Sequence, residues 1–260
     1  MHKSFYLLHV YIHLYYNQNE YEQNLDQNLY QIKEETVKDE IDVNIRLGFI
    51  RKVYGILTFQ LLITSFFTLC CMSSESIQKF LINQTGLFYL VIFVEIILCF
   101  IIIFVRGITR SVPLNYFLLL IFTLAESYIV GFICSFSNPK IVFMAACMTF
   151  AIVVFLTIYA MTTKTDITTQ GSILFLLLAV SLCLIVFNIF LRFKFLYVII
   201  CCISVFIFGI YIIYDTQLIL GKKNEILKVD DYILGSFLIY TDIISLFLNI
   251  LSLLNIVSSN

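Results

Sequence analysis

The chain has 260 residues, of which 61% are hydrophobic and 13% are charged. Soluble globular domains carry about 25% charged residues, so this composition excludes an ordinary cytosolic protein. The formal net charge of -1 provides no excess of basic residues to neutralise phosphates, and we therefore expect no nucleic-acid partner. A mean hydropathy of +0.98 instead predicts an integral membrane protein that is surrounded by the lipid bilayer.

The N-terminal segment differs from the rest of the chain in composition. Residues 1–44 hold eight of the seventeen acidic residues, together with many Asn and Gln residues. Such a polar and acidic segment buries too little apolar surface to fold, which predicts a mostly disordered tail. A tail of this kind offers a surface for protein partners. Residues 45–260 form the predicted transmembrane domain.

Apolar stretches alternate with short polar breaks from Val53 onward. Each is about 20 residues long, which is the length of helix that crosses the hydrocarbon core of a bilayer. The stretches are residues 53–72, 87–105, 114–134, 141–161, 172–190, 195–220 and 232–257. The sequence therefore predicts an all-α integral membrane protein with seven transmembrane helices. The last stretch contains Asp242 and Asn249, so a re-entrant hairpin is its alternative.

The distribution of Lys and Arg predicts the orientation, because cytoplasmic loops are enriched in them. With the N-terminus in the cytosol, nine basic residues near the span ends lie on the cytosolic side and four on the far side. The nine are Arg46, Arg51, Lys52, Arg106, Arg110, Lys164, Lys222, Lys223 and Lys228, and the four are Lys79, Lys140, Arg192 and Lys194. We therefore expect a cytosolic N-terminus.

Four acidic residues lie at membrane depth, namely Glu95, Glu126, Asp215 and Asp242. Ionisable groups there are costly and usually face the interior of a helix bundle, so each is a candidate functional residue. If Asp215 and Asp242 meet, they titrate as a unit, and when both are ionised they offer transient oxygen ligands to Ca²⁺. For Glu126, a neutral and hydrogen-bonded carboxylic acid is an equally good interpretation.

A polar stripe runs along the last predicted helix. Asp242, Ser245, Asn249 and Ser252 follow spacings of 3, 4 and 3, which brings them to one helix face. Packing through small polar residues also produces such a stripe. Because an acid heads this one, we favour a face lined by water or ions. The candidates for an ion pathway are Glu95, Glu126, Ser245 and Asn249.

Four segments, in the same order along the chain, resemble those of the Bax inhibitor and Lifeguard family of membrane proteins. They are IRLGFIRKVYGILTFQLLIT (45–64), PLNYFLLLIFTLAESYIVG (113–131), GIYIIYDTQLI (209–219) and LIYTDIISLFLNILSLL (238–254). The order and the acidic N-terminal extension are similar to those of the Lifeguard branch. The resemblance implies six helices arranged around a central one.

The resemblance also implies a function, which is a pH-controlled calcium leak in the endoplasmic reticulum, Golgi or other endomembranes, together with protection from cell death. Calcium would be the transported ion, with no cofactor. Carried over by motif, Asp215 and Asp242 would form the pH sensor and ion gate. Arg106 would act as a latch that pairs with Asp215, with Arg110 as the alternative arginine, and Glu95 would be the acid of the second span.

Two other functional classes remain open at this point. The alternative to a channel is a non-conducting regulatory or scaffold protein, which recruits partners through its acidic tail. An enzyme is not expected, because all three histidines lie in the tail and no GxGD-type intramembrane protease motif occurs.

Overall fold

The computed structural model of the protein describes residue 33 and residues 41–191, 193–221 and 227–258. The predicted disordered tail lies outside the described residues, except for residue 33 and residues 41–44, which are helical. Arg192, Lys222 and Lys223 lie outside them as well. The helices are α1 (Ile41–Ser73), α2 (Glu75–Asn83), α3 (Thr85–Phe104), α4 (Arg106–Arg110), α5 (Leu114–Ser135), α6 (Pro139–Thr162), α7 (Gly171–Leu191), α8 (Lys194–Leu220) and α9 (Tyr232–Ser258).

Seven of the described helices are long and apolar enough to cross a membrane, namely α1, α3, α5, α6, α7, α8 and α9. Helix α9 continues without a break past Asp242 and Asn249, so this segment is a full helix and not a re-entrant hairpin. No strand occurs in the described residues. The prediction of an all-α multi-pass membrane protein with seven spans is therefore confirmed.

Local sequence signals set the ends of several helices. Pro139 occupies the first turn of α6, and the side chain of Asn138 accepts a hydrogen bond from the backbone N–H of Lys140 at 3.0 Å. Helix α8 ends at Leu220 and is followed by Gly221, whose φ of 67° lies in the left-handed region that favours glycine. The Gly221 N–H donates to the carbonyl of Gln217 at 3.1 Å. This stop turns the chain from α8 into the connection that leads to α9.

Helix α9 lies inside the bundle. In each of α9 and α5, 56% of the most apolar stretch is buried by the rest of the protein. In α3, only 11% of the corresponding stretch is buried. Helix α9 contacts α4, α5, α6 and α8, and the ring of Phe237 lies 4.9 Å from that of Phe122 on α5. The outer helices present apolar side chains for contact with lipid tails, among them Phe93, Phe100, Phe155 and Phe175. This arrangement agrees with the expected central helix.

Gly131 lets α5 approach α1 closely. A Cβ atom at this position would lie 3.0 Å from Cys71 Sγ and 3.2 Å from Phe67 Cδ1. Because these neighbours must shift to admit a methyl group, we expect the free energy of unfolding to be about 1 kcal/mol lower for Gly131→Ala than for the same change at an uncrowded helical glycine. Thermal denaturation in detergent micelles measures the change. Gly86→Ala is the control, since nothing lies within 4 Å of its added Cβ. Equal stability of the two variants would contradict the prediction.

Candidate functional site

The two aspartates predicted to form the sensor meet between α8 and α9. Asp215 and Asp242 are 4% and 7% exposed, and their carboxyl groups lie against each other. Among the described residues, no N–H or hydroxyl group donates a hydrogen bond to Asp242 Oδ2. Two carboxyl groups in contact repel each other when both are charged, so such a pair can hold one proton between them.

The segment that carries Asp215 is tied to a distant connection of the chain. Gln217 is buried, and its Oε1 accepts a hydrogen bond from the backbone N–H of Ile167 at 2.9 Å. Its Nε2 donates to the carbonyl of Thr165, also at 2.9 Å. The glutamine of the YDTQ motif therefore anchors α8 to the connection between α6 and α7. This contact holds the helix end that follows Asp215.

A second pair of carboxyl groups lies between α3 and α5. The side chain of Glu126 is buried and lies against that of Glu95, which is half-buried. Cys99, one helical turn beyond Glu95, lies close to both acids. The sequence marked both glutamates as candidates for an ion pathway, but it gave no sign that they meet.

Buried hydroxyl and amide groups connect α1, α5 and α9 beside this second pair. Thr64 Oγ1 hydrogen bonds with Tyr240 Oη at 2.7 Å and with Ser127 Oγ at 3.0 Å. Gln60 Nε2 donates to Thr123 Oγ1 at 3.1 Å. These contacts give the interior of the bundle a polar layer that includes none of the four membrane acids.

The two acid pairs lie on different sides of α9. Tyr240 lies near Glu126 and Glu95, whereas Asp242 contacts Asp215. Since successive helical residues are rotated by about 100°, side chains two positions apart point in nearly opposite directions. The central helix therefore separates an aspartate pair on α8 and α9 from a glutamate pair on α3 and α5.

The arginines of α4 pair with an acid that the sequence did not single out. Arg110 donates to Asp231 through Nε to Oδ1 at 2.7 Å and through Nη2 to Oδ2 at 2.9 Å. Arg106 Nη1 lies 4.0 Å from Asp231 Oδ2. Among the described residues, Arg106 and Arg110 therefore both form their ion pairs with Asp231. A latch between Arg106 and Asp215 requires an arrangement other than this one, and it stays a prediction.

Asp231 lies outside the membrane-spanning helices, and its surroundings stabilise the charged form. Burial alone would raise the pKa of Asp231, but hydrogen bonds from Arg110 and from the backbone N–H of Lys228 outweigh burial and lower that pKa. The hydrogen bonds to Asp231 and its negative charge raise the pKa of Arg110. The pair is therefore a permanent ion pair at neutral pH.

The other residues of the predicted polar stripe are half-buried on α9. Asn249 Nδ2 donates to the backbone carbonyl of Ser245 at 2.8 Å, so the two residues lie one turn apart on the same face. Their part in an ion pathway stays a prediction. Within the described residues, no three His, Cys, Asp or Glu side chains are placed so that they could hold a metal ion together. Because Ca²⁺ takes six to eight oxygen ligands, water would have to complete its shell at Asp215 and Asp242.

Comparisons with known proteins support the resemblance noted in the sequence. The family described as "Inhibitor of apoptosis-promoting Bax1" matches residues 46–259, a range that contains both acid pairs. Protein lifeguard 3 of Mus musculus is 33% identical over 217 residues, covering 82% of this chain and 70% of that protein. Protein lifeguard 3 of Homo sapiens is 33% identical over 218 residues, with the same coverage. The Golgi anti-apoptotic protein of Vaccinia virus (strain Lister) is 32% identical over 214 residues, covering 82% of this chain and 87% of the viral protein.

Proposed function

Because the chain belongs to the Bax inhibitor and Lifeguard family, we propose that it is a pH-sensitive calcium leak channel of intracellular membranes. A viral relative is named a Golgi anti-apoptotic protein, which supports an endomembrane location and a role in suppressing cell death. Calcium is the transported ion in this proposal. It would move slowly down its gradient through the helix bundle.

The contact between Asp215 and Asp242 is the observation that carries the proposal. Both residues are more than nine-tenths buried, so the arrangement described here shields the pair from water. With one proton shared, the pair carries a single charge and the two helices stay packed. Loss of that proton leaves two carboxylates that repel each other and attract a divalent cation. Deprotonation therefore favours separation of α8 from α9 and occupancy by Ca²⁺.

The second acid pair, Glu95 and Glu126, would provide another binding position for a cation that moves through the bundle. Glu95 and Glu126 offer carboxylate oxygens at membrane depth, where such groups usually mark ion paths or proton relays. In this proposal they belong to the pathway together with Ser245 and Asn249. The aspartate pair remains the element that senses pH.

The proposed orientation has the N-terminus in the cytosol. Arg110 of α4 contacts Asp231 in the connection between α8 and α9, and Lys52 of α1 lies against Tyr232 at the start of α9. These basic residues therefore gather at one end of the bundle. Because basic residues are enriched on the cytosolic side, we assign this end to the cytosol.

Calcium flux into dye-loaded liposomes tests the proposal with the full-length purified protein. We expect flux to be several-fold higher at pH 8 than at pH 6, because the aspartate pair loses its shared proton as the pH rises. Asp215→Asn and Asp242→Asn should each remove this pH dependence. Glu75→Gln is the control, since Glu75 is exposed on α2, which is not one of the membrane-spanning helices.

Two results would overturn the proposal. Wild-type protein that gives no flux above that of empty liposomes at any pH would exclude a calcium leak and favour the non-conducting regulator. Flux that keeps its pH dependence in both aspartate variants would show that the sensor lies elsewhere.

A further inference from the structure

The mechanism proposed above does not use the ion pair between Arg110 and Asp231. The side chain of Asp231 is 1% exposed, whereas that of Arg110 is 32% exposed. Two parallel hydrogen bonds between a guanidinium and a carboxylate fix the orientation of both groups, which a single contact does not. This geometry therefore joins α4 rigidly to the residue that precedes α9.

The backbone of Asp231 is held as firmly as its side chain. Its N–H donates to the carbonyl of Lys228 at 2.9 Å, and its carbonyl accepts from the N–H of Gly235 at 2.9 Å. The N–H of Lys228 donates to Asp231 Oδ2 at 3.1 Å. Because Asp231 takes part in the first turn of α9, a displacement of its carboxylate also displaces that turn.

Tyr232, the first residue of α9, adds ties to two further helices. Asn115 Nδ2 of α5 donates to the Tyr232 hydroxyl at 2.9 Å. Lys52 Nζ of α1 lies 3.3 Å from the centroid of the Tyr232 ring, which is a cation–π contact. With Arg110 on α4, these contacts connect the start of α9 to three neighbouring helices.

Asp231 and Asp242 hold α9 at two levels. They are eleven residues apart, a separation that corresponds to a rise of about 16 Å along an α-helix. Helix α9 is therefore fixed by Arg110 at its start and by Asp215 farther along. A shift of the contact between Arg110 and Asp231 therefore changes the position of Asp242 opposite Asp215.

We propose that Arg110 and Asp231 form a clasp that holds α9 in the closed position and sets the size of the leak without sensing pH. This inference rests on the proposed calcium leak. Arg110 and Asp231 are positioning residues, because they act through α9 on the aspartate pair. Release of the clasp frees the first turn of α9 to move away from α4 and α5, which opens the end of the bundle next to the α8–α9 connection.

The charged groups around the clasp explain why it does not follow pH. Arg106 of α4 approaches Asp231 to 4.0 Å, and Asp230 lies close enough to Arg110 to add negative charge. Lys52 of α1 faces the neighbouring Tyr232. The pKa of Asp231 is lowered and that of Arg110 is raised, so both groups stay charged from pH 6 to pH 8. The pH response of the leak then belongs to the aspartate pair alone.

The test compares Arg110→Gln, Asp231→Asn and the double variant with Lys79→Gln in the liposome assay. Lys79→Gln is the control, because it also removes a positive charge and breaks an ion pair, but both partners of that pair, Lys79 and Glu75, are exposed on α2. We expect both single variants to raise flux by about threefold or more at pH 6 and at pH 8 alike, with the pH midpoint unchanged. The double variant should add little, and Arg110→Lys, which keeps the charge, should retain part of the closure.

Hydrogen exchange of residues 232–238 provides a second measurement that does not depend on conduction. Exchange should accelerate in Arg110→Gln and Asp231→Asn and stay at the wild-type rate in Lys79→Gln. Equal flux and equal exchange in Arg110→Gln and Lys79→Gln would overturn the clasp. A shifted pH midpoint in the clasp variants would overturn its independence from pH. Wild-type protein without any flux would overturn the proposed function, while exchange would still decide whether the ion pair holds α9.

Discussion

Replacement of Phe122 by alanine should lower the free energy of unfolding by about 3–5 kcal/mol. The Phe122 side chain is fully buried on α5, and its ring lies 4.9 Å from that of Phe237 and 6.1 Å from that of Tyr240. Removal of the ring leaves a cavity between the two most buried helices, and dispersion contacts are lost on every side of it. Thermal denaturation in detergent micelles measures the change.

Phe117→Ala is the matched control for this prediction. Phe117 lies on the same helix but is 59% exposed, so its ring faces lipid and leaves no internal cavity when it is removed. The control should be far less destabilised than Phe122→Ala. Equal losses in the two variants would mean that packing between α5 and α9 does not dominate the stability of the bundle.

Asp231→Asn should lower the free energy of unfolding by about 2–3 kcal/mol at neutral pH. The change leaves the Arg110 guanidinium without its counter-charge, although the partial exposure of Arg110 lets water compensate in part. Chemical or thermal denaturation of both proteins gives the difference. Glu75→Gln, which breaks the exposed ion pair with Lys79, should leave stability unchanged.

The pH dependence of the stability lost in Asp231→Asn follows from the lowered pKa of Asp231. A carboxyl group whose pKa is depressed by folding contributes stability that is fully present above the pKa of the unfolded chain. That contribution is lost as the pH falls through the lower pKa of the folded state. For Asp231 the ordinary value is 3.8, so the difference between wild type and Asp231→Asn should be constant from pH 6 to pH 8. A difference that disappears within this range would contradict the assignment.

The fold could be predicted from the sequence because a bilayer imposes a simple rule on length and hydropathy. Seven apolar stretches became seven helices, and their ends moved by only a few residues except at α1. That helix is described from Ile41, well before the apolar stretch that begins at Val53. Residues 41–52, in which apolar residues alternate with charged and polar ones, extend the helix beyond its continuous apolar part, and a hydropathy pattern does not reveal such an extension.

The aspartate pair was predictable only through motif resemblance, and the glutamate pair was not. Spacing along one helix shows which residues share a face, but it does not show which face of another helix lies opposite. Glu95 and Glu126 are 31 residues apart on neighbouring spans, and their contact depends on how α3 and α5 are rotated. An alternative partner for either acid was equally compatible with the sequence.

The partner of the arginines was missed for a related reason. Asp231 stands beside Asp230 in a short polar connection, where an acid is ordinarily solvated. Its burial follows from the approach of α4, which no local pattern indicates. A faint signal was present, since Arg110 follows Arg106 by one helical turn and both precede a span. It was not enough to identify the acid that they share.

The distance between Asp231 and Asp242 along α9 also has an electrical consequence. A rise of about 16 Å is close to half of the hydrocarbon thickness of a bilayer, which is about 30 Å. With Asp231 at the membrane surface, Asp242 then lies near the midplane. A divalent cation that reaches it from either side has crossed about half of the transmembrane voltage, which is worth about 2.3 kcal/mol per 100 mV. Occupancy of the aspartate pair would thus respond to membrane potential as well as to protons.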